Sequence, residues 1–93
     1  MKDLKLIYPI TIELSDVKDT KLKLIRVVAR LISKKYKTQK KAADALKIDQ
    51  PKVSQINRSR IEVFSLEYLL NLLVALGQDV NVKIEHISEP VTN

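Results

Sequence analysis

The sequence predicts a mainly α-helical protein of four to five helices, with an extended segment at its N-terminus and a β-strand near its C-terminus. Three observations predict it. The 93 residues allow one small domain, 1–93, and no second. Apolar residues recur at helical spacing through the middle of the chain, in blocks separated by Ser, Thr and Asp, the side chains that begin helices. Strict two-residue alternation occurs only towards the two ends.

Residues 1–17 form the N-terminal extension. Leu4, Leu6, Tyr8, Ile10, Ile12 and Leu14 lie on one side, opposite Lys5, Thr11 and Glu13. Pro9 lacks an N–H, so a strand here is an edge strand or breaks at that point. Residues 15–19 supply cap-type side chains for a helix over about 19–35. Leu22, Ile25, Ala29 and Ile32 form its stripe. Leu24, Val27, Val28 and Leu31 widen that stripe beyond the one face a surface helix needs. The extra face must meet the N-terminal strand or a second subunit.

Thr38 is placed to cap a short helix from Gln39 to Leu46, with Ala42, Ala43 and Leu46 inward. Lys47-Ile48-Asp49 makes a tight connection. Asp49 is placed to cap the next helix, and Pro51 sits in its first turn, where no intrahelical N–H is needed. Val53 and Ile56 point inward; Gln50, Lys52, Ser54, Gln55 and Arg58 can point out. The two helices and their turn occupy 38–57. A loop over about 58–64 brings Phe64 to the core. Ser65 caps a fourth helix through about Leu76, and Gly77 ends it. Leu66, Leu69, Leu70 and Leu73 form its stripe, which leaves Leu72 as a candidate interface residue. Alternation resumes over 79–87, with Val80, Val82 and Ile84 on one side, and this is the predicted C-terminal strand. Two strands are too few for a stable isolated sheet. Pairing across a two-fold axis through Val80, Val82, Ile84 and Leu72 therefore predicts a homodimer.

Composition removes several function classes. The chain has no cysteine, which excludes disulfides and thiolate metal sites. His86 is the one histidine and cannot build a zinc site alone. The acidic residues lack metal-ligand spacing, so no metal and no cofactor is expected. Gly77 is the one glycine, which leaves no phosphate-cradling loop, and His86 lies in a different element from Ser54. No catalytic residue emerges, and an enzyme is the weakest reading. No apolar run approaches a membrane span of about 18–20 residues. Asp3, Pro9 and Glu13 interrupt the N-terminus as a signal peptide. A cytoplasmic location without membrane contact is the expectation.

Charge is unevenly placed. Between Lys18 and Arg60 stand 14 lysines and arginines against Asp19, Asp44 and Asp49. From Ile61 onward Lys83 faces Glu62, Glu67, Asp79, Glu85 and Glu89. Such a block suits a polyanion, or is a solvated lysine-rich face. Two short helices joined by a tight turn, the second rich in amides and cations, match the physics of major-groove reading. The second helix presents its N-terminal residues to base edges. Gln bonds bidentately to adenine and Lys or Arg to guanine. Gln39, Gln50, Lys52, Ser54, Gln55 and Arg58 are the candidate base or groove contacts. Thr38, Lys40, Lys41 and Arg60 are the candidate phosphate contacts. The partner is then double-stranded DNA carrying a palindromic operator.

Thr38-Gln39, Ala42-Ala43, Leu46, Ile48, Gln50-Pro51, Val53-Ser54 and Ile56 resemble the helix-turn-helix of Cro-type, xenobiotic-response-element-family repressors. The stretch SLEYLLNLLVALGQDVNVKI after QPKVSQI is similar to antitoxins of host-inhibition-of-growth-type toxin–antitoxin pairs. The resemblance implies a Cro/repressor-like domain. Its function is then that of a sequence-specific repressor, autoregulating its operon as an antitoxin with a cognate toxin partner. A stand-alone or phage-type regulator without a toxin shares the pattern. A protein-interaction module whose basic middle docks an acidic partner is the competing class. The sequence departs from the resemblance at Lys47, where related proteins often carry Gly. Asp49 also brings a negative charge towards phosphate.

Overall fold

The computed structural model describes residues 16–81. They form α1 (Val17–Lys35), α2 (Gln39–Leu46), α3 (Gln50–Asn57), a single 3₁₀ turn (Ile61–Val63) and α4 (Leu66–Ala75). The predicted helices are all present. The alternating stretch 4–14 lies outside the described residues, as does the predicted strand from position 82 onward. Residues 79–81 are not in a strand.

α1 begins two residues earlier than expected because Asp16 caps it. Its carboxylate accepts from the N–H groups of Lys18 at 2.9 Å and Asp19 at 3.3 Å, two of the donors that a helix start leaves without intrahelical partners. One turn on, Asp19 pairs with Lys23 at 3.1 Å. α1 packs on α4 and α3, and α2 packs on α3. The buried face of α1 consists of Thr20, Leu24, Ile25, Val28 and Ile32. This corrects the expected stripe: Leu22 and Ala29 are half-buried, whereas Leu24 and Val28 are in the core. Spacing of three and four from Thr20 selects this set, and an apolar pattern on most of the cylinder had hidden it.

The same correction applies to α4. Leu69, Leu72, Leu73 and Leu76 are buried, while Leu66 and Leu70 are only half-buried. Leu72, expected off the stripe and at a dimer interface, is 5% exposed and belongs to the monomer core. The large apolar side chain that this helix exposes is Val74, 58% exposed. Phe64 joins the core as expected, stacked on Tyr68 with ring centroids 5.3 Å apart. Emptying such a core position, as in Leu69→Ala, costs about 2–5 kcal/mol.

Three of the four helices end through a left-handed residue: Lys47 (φ 61°), Ser59 (φ 54°) and Gly77 (φ 86°). After α4 the N–H of Gly77 donates to the Val74 carbonyl and that of Gln78 to the Leu73 carbonyl, each at 2.9 Å. After α3 the N–H of Ser59 donates to Ile56 at 2.9 Å and that of Arg60 to Gln55 at 3.0 Å. These paired bonds satisfy carbonyls left over at a helix end and turn the chain sharply. The expected loop over 58–64 is therefore a compact cap followed by the 3₁₀ turn.

Candidate nucleic-acid interface

The site is built around the α2–turn–α3 unit. Thr38 Oγ1 accepts from the Lys41 N–H at 3.0 Å and starts α2. Lys47 ends it: the Ile48 N–H donates back to the Ala43 carbonyl at 3.0 Å, so the chain reverses within one residue and Ile48 returns towards the core. Lysine takes here a conformation that glycine adopts more cheaply.

α3 starts without the expected side-chain cap. Asp49 occupies the cap position but makes no side-chain cap bond. Pro51 supplies no N–H, and the Lys52 N–H donates to the Asp49 carbonyl at 2.9 Å. Little is left for a carboxylate to satisfy. Val53 and Ile56, both 0% exposed, are the buried anchors of α3. Everything else on the helix is free of core duty or only half-covered.

Among the sequence-predicted groove residues, Gln39, Gln50 and Arg58 are exposed, and Ser54 and Gln55 are half-buried. Arg58 caps the C-terminus of α3 instead of lying within it. Lys52 is the remaining groove candidate. It is half-buried, and its Nζ lies 5.8 Å from the centroid of the Tyr68 ring on α4. Thr38, Lys40 and Lys41 are exposed together at the start of α2. Lys40 pairs with Asp44 at 3.3 Å, both about 70% exposed (73% and 70%), and such a pair yields readily to a stronger anion. Arg60 lies beyond α3 and donates from Nε to Glu62 at 2.7 Å. That bond holds the Glu62 carboxyl below its usual range, helped by its own backbone N–H and opposed by slight desolvation.

A shallow recess of about 240 Å³ opens where α1 ends, α2 begins and α3 ends. Tyr36, Lys37, Thr38, Gln39 and Asn57 are among its lining residues. Sequence reasoning missed Lys37, Asn57 and Tyr68 as neighbours of the site. Only folding brings Asn57 beside Thr38, whereas Tyr68 stood out as the lone aromatic of a leucine-rich helix. Among the described residues no group of three acidic or imidazole side chains could hold a metal, and no helix is long and apolar enough to cross a membrane.

Two short helices at a three-residue turn, the second held by two apolar anchors and open on its other side, define a helix-turn-helix protein. Residues 11–85 match the family model described as a helix-turn-helix domain. The chain belongs to that family. It is also similar to a solved structure of an XRE-family transcriptional regulator, at 36% sequence identity and a TM-score of 0.73, over 83% of this chain and 86% of the other. No curated protein matches the chain.

Proposed function

We propose that the protein is a sequence-specific DNA-binding transcriptional regulator that reads a palindromic operator as a homodimer. The carrying observation is the open side of α3, with Gln50 and Arg58 exposed, inside a segment of 14 cations. The family membership and the similarity to an XRE-family regulator support the same reading.

In this reading Gln50, Ser54, Gln55 and Arg58 meet the major groove, with Gln39 beside them. Thr38, Lys40, Lys41 and Arg60 meet phosphate. The N–H groups of Gln39 and Lys40 at the start of α2, left over after Thr38 caps Lys41, favour an anion there. Dimerisation uses α4 and the segment after Gly77. Exposed Val74 supports this, and the alternation of Val80, Val82 and Ile84 in the sequence suits pairing across a two-fold axis. Two copies of α3 then stand about 34 Å apart, one turn of B-DNA.

Within the class, the similarity of the α4 sequence to host-inhibition-of-growth antitoxins supports an antitoxin that represses its own operon. A basic toxin would dock away from α3, against Glu62, Glu67, Glu85 and Glu89 or along Leu4 to Leu14. Co-purification with the product of the adjacent gene tests this finer reading.

The general reading is tested by selecting duplexes from a random library and titrating the winner against salt. An inverted repeat should emerge, with affinity falling at a log–log slope of about −0.9 per neutralised phosphate. No enriched sequence, or a salt-insensitive association, would overturn it and favour a module for an acidic protein.

A further inference from the structure

We infer that Lys52 is a positioning residue for base reading: it fixes the start of α3 against Tyr68 and does not itself touch DNA. The inference rests on the DNA-binding reading above. Lys52 is the third residue of α3, so its attachment decides where the first turn of that helix points. Its Nζ sits 5.8 Å from the Tyr68 centroid, within cation–π range. Both side chains are half-buried, which reduces the competing hydration.

The ring is itself held. Tyr68 stacks on Phe64 at 5.3 Å and an interplanar angle of 24°. Phe64 is 4% exposed, and its carbonyl accepts from Lys21 Nζ at 2.9 Å. A continuous train therefore runs from α1 through Phe64 and Tyr68 to the first turn of α3. Asp49 lies at the same place: burial first, then the Asp49 carboxylate, disfavours the ionised Tyr68 phenol. The neutral ring is thus the stable partner for the ammonium. α4 packs mainly on α1, so this contact is a specific side-chain tie between α4 and the reading helix. A lysine so engaged leaves Gln50, two residues earlier and exposed, as the side chain free to reach a base edge.

A double-mutant cycle decides the matter. Lys52→Met keeps the aliphatic stem and removes the charge, Tyr68→Leu removes the ring, and Tyr68→Phe keeps the ring face. Affinity is measured for the selected operator and for a random duplex, with salt titrations on the random duplex. Lys52→Met and Tyr68→Leu should each lower the operator-to-random ratio about two- to five-fold. The double variant should lose no more than either alone. Tyr68→Phe should keep the wild-type ratio, and the salt slope should not change in any variant. Independent, multiplying losses would show that Lys52 acts without Tyr68, and a slope shallower by about 0.9 in Lys52→Met would show that it neutralises a phosphate; either result overturns the inference. Failure of the wild type to prefer any duplex would instead remove the DNA-binding reading beneath it. Thermal unfolding of each variant confirms that it is folded. If Tyr68→Leu is not, Lys52→Met and Tyr68→Phe decide alone.

Discussion

Lys21 Nζ donates a hydrogen bond to the Phe64 carbonyl 2.9 Å away, joining residues 43 positions apart in the chain. The bond pins the end of the 3₁₀ turn to the first half of α1. Hydrogen bonds from charged donors are among the stronger ones, at about 1.5–3 kcal/mol. Lys21→Met keeps the stem and should lower stability by about 1–2 kcal/mol. In a domain of this size that lowers the melting temperature by about 4–8 °C for each kcal/mol. An unchanged melting curve would show that water replaces the ammonium at no cost.

The left-handed caps predict gains. Lys47→Gly and Ser59→Gly should each raise stability by about 0.5–1 kcal/mol, because glycine takes positive φ without a Cβ clash. Gly77→Ala should lower it by a similar amount. The cost is conformational, since a Cβ at Gly77 would meet nothing within 4 Å. Urea unfolding of the three variants measures both signs.

Base readers and phosphate contacts should separate under salt. Gln50→Ala should cost about 1–3 kcal/mol on the selected operator and much less on random duplex. Lys40→Ala should weaken all sequences alike and make the salt slope shallower by about 0.9. Equal losses for Gln50→Ala on both duplexes would make it a backbone contact.

Val74 tests the dimer. Val74→Lys should shift the protein towards monomer in light scattering at tens of micromolar and leave the melting of the monomer fold nearly intact, because the side chain is 58% exposed. A monomeric wild type would remove the dimer. An unaffected dimer in the variant would move the interface off this part of α4.

Alkaline pH offers a probe of Tyr68. Its folded-state pKa lies above the usual value of about 10. The associated stability is therefore present below that value and lost as pH rises through the folded pKa. Stability measured from pH 9 to 11 should fall more steeply in wild type than in Tyr68→Phe. Parallel curves would show that the ring is as free to ionise as in the unfolded chain.

The helices were legible because their boundaries rest on local chemistry. Thr38 and Ser65 act as the side-chain caps that their types suggest, and Gly77 ends α4. α1 and α4 were harder to orient. Both are apolar around most of their circumference, so neither sequence says which stripe faces inward, and Leu72, which spacing puts off the stripe, is buried. Asp49 misled for another reason: Pro51 and the Lys52 N–H removed the need for its carboxylate at the helix start. The tie between Lys52 and Tyr68 depends on how α3 and α4 meet, and no pattern within either helix encodes it.

The two-point attachment of α3 has a consequence for how such a protein changes over generations. Val53 and Ile56 hold the helix, and Gln50, Asn57 and Arg58 face solvent. Exposed positions of this kind tolerate exchange within about 0.5 kcal/mol. If Gln50 and Arg58 read bases as proposed, a lineage can drift from one target sequence to another through these positions without passing through an unfolded ancestor. Target preference is then decoupled from folding at these exposed positions but not at position 52, where a change of side chain alters the seating of the first turn of α3.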